Sequence, residues 1–510
     1  MRIPAFLPWL VFFCIVCGVV GLNKGYQTFF FRPCSAHQWR QSDGASYALN
    51  YYQNKVAFLP PQVHHRHAAD GRAVSEFPVV YYLAAQGYSL FGFHDYFIRW
   101  IHFALFVMGL IFMIRTAKCY TSDPWLPLLP ACLALTSPCL FYYAANFLPD
   151  VAAFSMGMCG FYFIIRFKQH KKMFSFLLAT CFFTLAGLLK ISGALLWVAC
   201  MLSLTYGMYF SKRADDILSK KQRIIMLLIV AGSIAMLYGW IQYDKYVAVH
   251  YHFGGNLFGL LPIWDADGHE IAYILSRIRH LWMRAFLTRE VWIALFISGM
   301  LILLYRKKRD VFLFRVLGWT AIGVLLYMIC WFRTFDVHDY YLINLFCFPI
   351  LLLYALLDLI EKKQWNRPSR IYAGILLCAG LLLTASAWAS RREQLYRYFG
   401  KDYNSLNPAY YHIEPYLRSI GIRPDDWVVS VPDPSPNITL YLMNVRGFTE
   451  CYTSDHYNVA DFATLPEVKY LIVSDTAYMH QALYAPYCHP ENQIGQFEGI
   501  HIFRFIKTPH

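Results

Sequence analysis

The stretch Cys34-Ser35-Ala36-His37-Gln38-Trp39-Arg40-Gln41-Ser42-Asp43-Gly44 continues, polar and aromatic, to Glu76-Phe77-Pro78 and Tyr82. It begins where the first apolar segment ends, and nearly everything after it is apolar. It gathers Asp43, Asp70 and Glu76, then Arg40, Arg66 and Arg72, and histidines at 37, 64, 65 and 67. A polar loop this dense, tethered to so apolar a body, is the first place to look for chemistry.

The body around it has the composition of a membrane protein. Of 510 residues, 58% are hydrophobic and 15% charged, where a soluble domain carries about 25% charged residues. The apolar residues fall in blocks of about 18–22, the length that crosses a bilayer. The spacing predicts eleven spans, at 5–22, 98–114, 125–145, 151–167, 174–189, 192–210, 224–242, 290–305, 312–331, 342–360 and 371–389. The first has the length of a signal peptide, but it delivers the Asp43 loop to the membrane surface and is read as an anchor.

A net charge of +14 would point a soluble protein toward nucleic acid. Here twenty of the cations lie in five connecting loops, from Arg115 and Lys118 through the runs at 166–172, 212–223 and 306–315 to Lys362–Arg370. The turns opposite are poor in cations, so topology accounts for the charge and no nucleic acid is expected. The positive-inside rule then places the N-terminus in the cytoplasm. Eleven spans put the C-terminus and the Asp43 loop outside.

The expected domains are a transmembrane domain over 1–389, with outer loops at 23–97 and 243–289, and a small extracytoplasmic α/β domain over 390–510. In the second loop, Ile271 to Phe286 is amphipathic, with Arg277, Arg279, His280 and Arg284, a pattern suited to a helix lying in the interface. In the tail, Trp427–Val431, Val468–Val473 and 501–506 read as strands, with a helix at Ile438–Asn444. Cys451 and Cys488 fall in this outer domain, where a disulfide is permitted; two separate buried thiols are the other reading. There is no P-loop or GxGxxG element.

Several residues could carry chemistry, each with a plainer alternative. Asp43, amid Arg40, Tyr47 and Tyr51, is a carboxylate able to take a proton from an acceptor hydroxyl, or a solvated loop acid or helix N-cap. Glu76 stands where the chain re-enters the interface, and a cation, a divalent metal or water would satisfy it. Asp150 closes the third span, as an N-cap of the fourth helix or as a site acid. Lys190 lies alone between two outer span ends, to snorkel or to bind a phosphate. Arg333, His338, Asp339, Tyr340 and Tyr341 form an outer turn. Charges around a membrane cavity are functional candidates, and an interfacial aromatic belt is the rival reading.

These residues resemble a family. His37-Gln38-Trp39-Arg40-Gln41-Ser42-Asp43 with Tyr47-Ala48-Leu49-Asn50 behind it is similar to the first outer loop of the GT-C superfamily of membrane glycosyltransferases. So are Glu76-Phe77-Pro78-Val79-Val80-Tyr81-Tyr82, the run from Ser137-Pro138 to Leu148-Pro149-Asp150, and His338-Asp339-Tyr340-Tyr341-Leu342. Bacterial protein mannosyltransferase-like and lipid A aminoarabinose transferase-like enzymes are the nearest in pattern, and Val431 to Asn444 also looks like bacterial members.

The resemblance implies a protein of the bacterial inner membrane that uses a polyprenyl-phosphate sugar donor at the outer face. Transfer would invert the anomeric centre, and the acceptor would be a lipid, glycan or protein. It matches Asp43 to the proposed catalytic base, Asp150 to the second acid, and Glu76 to a position that helps bind a metal in some relatives. The lysine that can follow that glutamate is Phe77 here. Lys190, Arg333 or the Arg277–Arg284 cluster would then meet the donor phosphate, with Arg40, Tyr47, Tyr82, His338, Tyr340 and Tyr341 as further substrate contacts. Asp43, Glu76, Asp150, Lys190, Arg333 and His338–Tyr341 are expected to line one outward-opening cavity. A transporter or flippase would place ionisable residues near mid-span, and a ligase or polymerase of another fold would rely on late-loop arginine and histidine. The acids at outer span ends favour the transferase.

Overall fold

The computed structural model describes residues 4–66, 70–73, 76–210, 218–251, 259–305, 310–367, 370–403, 406–451, 462 and 465–505. His67 of the histidine cluster, the cations Lys212, Arg213 and 306–309, and Ile506 of the last expected strand lie outside the described residues. The chain divides into two compact units: Met1–Phe29, Arg99–Ile241 and Phe258–Tyr396 in the first, and Phe30–Ile98, Gln242–Leu257 and Arg397–His510 in the second.

The first unit is helical. Among the described residues, seven helices are long and apolar enough to cross a membrane, or nine if each of two bent pairs counts as one span. The chain is therefore an integral membrane protein. The count of eleven is not reached by these measures; the two shorter apolar helices, Leu7–Leu22 and Met173–Leu189, fall on the remaining expected spans.

Both bends have visible causes. Leu126–Thr136 meets Pro138–Ala144 at 74°, because a residue before proline is driven out of the helical region. Ser137 is accordingly extended, and its hydroxyl donates to the Phe286 carbonyl at 2.7 Å. Gly268–Phe286, which contains the expected amphipathic stretch, meets Arg289–Leu304 at 89°, with extended Leu287 and Thr288 at the corner.

Close helix packing rests on small residues. A side chain at Gly160 would meet the Phe183 ring at 2.9 Å, and one at Gly109 would meet Ser155 at 2.7 Å. Arg99, fully buried, is held by the Ala145 carbonyl at 2.7 Å and lies over the Phe147 ring.

The second unit carries a five-stranded sheet in the order β2-β1-β3-β5-β4. The strands are β1 Trp427–Val431, β2 Arg446–Thr449, β3 Val468–Val473, β4 Gln493–Phe497 and β5 Ile500–Arg504. β2, β1 and β3 are parallel, and β5 and β4 complete the sheet antiparallel. The β-branched runs of β1 and β3 suit central parallel strands covered on both faces. The helix Ile438–Met443 connects β1 to β2. The free side of edge strand β2 is covered at Gly447, whose carbonyl accepts from the Arg66 amide at 2.8 Å and whose N–H donates to His64 at 3.3 Å. Covering an edge in this way removes a template for unwanted pairing. Cys451 and Cys488 are free thiols, so the permitted disulfide is not formed.

Gly447 has φ +143°, and a Cβ there would lie 1.8 Å from the Val428 carbonyl oxygen. Gly447→Ala should therefore destabilise the folded protein by about 2–4 kcal/mol. Thermal unfolding in detergent, with Gly374→Ala as a control in open space, checks it.

Candidate functional site

The sequence-predicted residues fall into two sets, one in each unit. In the second unit, the helix Gln38–Gln53 presents Arg40 and Asp43 three residues apart, on neighbouring positions of one face. Asp43 lies inside this helix and is 4% exposed, which removes both the loop and the N-cap readings. Arg40 donates to Asp43 Oδ2 at 3.2 Å, and its other terminal nitrogen donates to both oxygens of Glu76 at 2.6 and 2.7 Å. One guanidinium thus holds two buried acids.

Burial raises the Asp43 carboxyl from its ordinary 3.8 to about 6, with the Arg40 charge pulling down and the Glu76 charge pushing up. Its Oδ1 has no hydrogen-bond donor among the described residues. The result is a carboxylate able to gain or lose a proton near neutral pH.

Around this trio, Gly44 lets the Tyr81 ring approach; a side chain there would meet it at 2.6 Å. Tyr47 is fully buried, its ring 5.6 Å from that of Tyr81. Tyr82 is 38% exposed and packs edge-on against Tyr51 and Phe58. Among the described residues, His64 joins no group able to hold a metal. Its Nδ1 meets the Ser46 hydroxyl at 2.5 Å, and burial, reinforced by the Arg66 charge, lowers it to about 3. It is a neutral ring in a tether.

Among the described residues, no three His, Cys, Asp or Glu side chains are grouped to hold a metal. Glu76, the expected metal contact, has both oxygens on Arg40.

In the first unit, Asp150 opens the helix Asp150–His170 behind an N-cap at Pro149, where a carboxylate is favoured by the helix dipole. It is a first-turn acid rather than the cap. Lys190, extended between two helices, places its ammonium 3.4 Å from Asp150 Oδ1. The same ammonium lies 4.5 Å from the Tyr341 ring centre and 5.0 Å from that of Tyr340. His338 is edge-on to both tyrosines. Asp339, 1% exposed, accepts from the Tyr143 hydroxyl at 2.6 Å. Asp150, Lys190, His338, Tyr340 and Tyr341 therefore form a connected group.

The two arginines have other partners. Arg333 pairs with Glu270 at 2.7 Å, both side chains about a third exposed. Arg277 donates to the Asp336 carbonyl at 2.9 Å and lies over Trp282. Asp43 and Asp150 belong to different units.

Sequence reading missed Tyr143 and Asn437. Tyr143 is hidden in an apolar span among other aromatics. Asn437 lies in the quoted Val431–Asn444 run, where only pattern marked it; its amide donates to the Ser42 carbonyl at 3.3 Å and accepts from the His64 amide at 3.1 Å.

The raised Asp43 value makes a signed prediction. A carboxyl whose folded value lies above its unfolded 3.8 stabilises when protonated; that contribution is complete below about pH 4 and lost as pH rises through about 6. Against Asp43→Asn, wild-type stability should fall by on the order of 2 kcal/mol between about pH 4 and about pH 7. Parallel pH–stability curves in detergent would show that Asp43 titrates normally.

A family model described as dolichyl-phosphate-mannose-protein mannosyltransferase matches residues 75–240. Among curated proteins, none matches the chain by sequence. Among solved structures, the chain is similar to ArnT from Cupriavidus metallidurans bound to undecaprenyl phosphate, with a TM-score of 0.64, 12% identity and 99% of each chain covered. The apo form of that protein matches at 0.61, also with 12% identity and 99% of each chain covered. AglB from Archaeoglobus fulgidus, in complex with an inhibitory peptide and a dolichol-phosphate, matches at 0.52 with 11% identity, over 92% of this chain and 69% of its own. This chain has the fold of the GT-C superfamily of membrane glycosyltransferases.

Proposed function

We propose that this protein transfers a hexosyl or pentosyl group from a polyprenyl-phosphate donor to an acceptor on the outer face of a bacterial inner membrane, with inversion. The observation that carries the reading is Asp43: a buried carboxylate with one oxygen unengaged among the described residues and a protonation midpoint near that of a useful general base. The similar structures hold an undecaprenyl phosphate and a dolichol-phosphate, which supports a lipid-phosphate donor.

In the reaction, the acceptor oxygen forms a bond to the anomeric carbon. The bond from that carbon to the phosphate oxygen breaks, and its electron pair leaves with the polyprenyl phosphate. The acceptor proton passes to Asp43. A base near neutral pH combines the right protonation state with enough driving force, a contribution of about 10²–10⁴ in rate. Arg40 and Glu76 hold Asp43 in place. Lys190 is the cation proposed for charge growing on the departing phosphate, with Asp150 3.4 Å from its ammonium and the Tyr340 and Tyr341 rings beside it. Arg333, Arg277, His338, Tyr47 and Tyr82 remain secondary substrate contacts in this proposal.

Mass spectrometry of lipid-linked sugars and surface glycans, from cells with and without the gene, tests the reading. Loss should leave a lipid-linked sugar unused and one modified envelope component missing; identical profiles would sink it. With the substrates in hand, Asp43→Asn should insert and fold yet lose about 10²-fold or more in kcat, while Lys190→Ala should act mainly on the donor KM. A transporter would leave no new glycosidic product.

Orientation is tested separately. Glu498→Cys sits on the exposed β4–β5 turn. It should react with a membrane-impermeant maleimide in spheroplasts; protection until lysis would reverse the topology and the proposed side of action with it.

A further inference from the structure

The helix that carries Asp43 has a second polar face. Ser42, Ser46 and Asn50 recur every four residues, a spacing that stacks them on one side. Each is tied to other parts of the same unit. The Ser42 carbonyl accepts from Asn437 Nδ2 at 3.3 Å. The Ser46 hydroxyl meets His64 Nδ1. Asn50 donates to the Gln62 carbonyl at 3.1 Å and to the Ser46 carbonyl at 2.9 Å.

Asn437 closes the ring, because its Oδ1 accepts from the His64 backbone at 3.1 Å. Asn437, Ser42, Ser46, Asn50 and His64 are all buried. Residues 64–66 are in turn bonded to Gly447 at the edge of the sheet. The result is a continuous hydrogen-bonded strut from strand β2, through His64 and Asn437, to the helix turn that bears Asp43.

Asn437 is itself held rigidly. Asp433 accepts from the backbone and hydroxyl of Ser435 and of Thr439, at 2.6–2.9 Å, and so fixes the loop on which Asn437 sits. Its amide also lies beside Asp43, where it favours the ionised carboxylate. The groups facing Asp43 are then Arg40 from its own helix, Glu76 from the segment before Val79–Phe91, the Asn437 amide, and the half-buried Cys451 thiol, which feels the Asp43 charge. His64 is too hard to protonate for the strut to change near neutral pH.

We propose that Asn437, through the ring it closes with Ser42, His64 and Ser46, is a positioning residue for Asp43, by which the C-terminal sheet holds that carboxylate in its working setting. This rests on the reading of Asp43 as the base, but it goes beyond it by giving the C-terminal α/β element a role in the reaction. Residues that orient a reacting group from behind typically change its performance by 10–100-fold when removed, as outer-shell partners do for metal ligands.

The test reads Asp43 directly. The purified full chain in detergent is titrated by infrared difference spectroscopy of the carboxylate stretch, with Asp43→Asn subtracted to isolate the one band. Wild type should give a midpoint at about 6. Asn437→Ala, which removes a donor that favours the charged form, should move it upward by about half a unit or more. Asn437→Asp, which adds a like charge, should move it further in the same direction.

A monodisperse Asn437→Ala protein with an unmoved midpoint overturns the proposal, since a merely structural asparagine would lower stability without changing this titration. If Asn437→Ala does not fold, Ser46→Ala cuts the ring at its far side. An upward shift there supports the strut, and an unmoved midpoint overturns it. The outcome is separable from that of the base assignment. A shifted midpoint with full turnover in Asp43→Asn supports the tether and removes the base. An inactive Asp43→Asn with an unmoved midpoint removes the tether alone.

Discussion

One guanidinium shared by two buried carboxylates is the constraint on which the polar half of this protein depends. Arg40 carries a single positive charge and faces both Asp43 and Glu76. A buried charge is costly unless paired, and one cation cannot fully neutralise two anions. The geometry resolves this unequally. Glu76 receives the bidentate contact, while Asp43 receives a single longer bond and keeps one oxygen unengaged among the described residues. Burial and the Glu76 charge push the less favoured acid toward neutral pH. In the proposed mechanism this imbalance is what makes Asp43 a base rather than a permanent anion.

Holding so finely balanced a group requires a stiff frame, and the sequence supplies it with short-range devices. Gly44 lets Tyr81 lie against the helix. The Ser42, Ser46 and Asn50 stripe pins the opposite side. In the helical unit the equivalent devices are breaks. Ser137-Pro138 turns the chain by 74°, and the freed Ser137 hydroxyl binds the end of the Gly268–Phe286 segment. Apolar helices alone would pack in many registers; such polar links, few and buried, select one.

Much of the fold could be read in advance because its signals are local. Apolar blocks of spanning length fell on the observed helices, including those that turned out to be bent. β1 and β3 announced themselves by Val and Ile runs, whereas β2 and β4 did not: Arg446-Gly447-Phe448-Thr449 is short and contains a glycine, and Gln493–Phe497 is a polar edge. The site was legible residue by residue, not in its partnerships. Asp43 stood out, but nothing in spacing shows that Arg40 reaches across to Glu76, thirty-six residues away, or that Asn437 lies beside Ser42. The helical position of Asp43 was missed because Gln38 to Gln53 has no strong apolar period to mark it.

The cations separate on the same physical grounds. Phe77 follows Glu76 directly and offers no cation, so the proposed donor phosphate needs another partner. Arg333 has the better fork for a phosphate, but it is exposed and paired with Glu270, a setting in which water screens the charge and an ion pair is worth little. Arg277 is committed to a backbone carbonyl and an indole face. Lys190 is 14% exposed, walled by two tyrosine rings and 3.4 Å from Asp150 Oδ1. An ammonium in a partly dry setting acts on an incoming anion with little screening. Its phosphate would come at small cost to the existing pair, because Asp150 is also stabilised by the helix start beneath it. That difference in setting, more than the type of cation, is why Lys190 carries the phosphate role in this proposal and Arg333 does not.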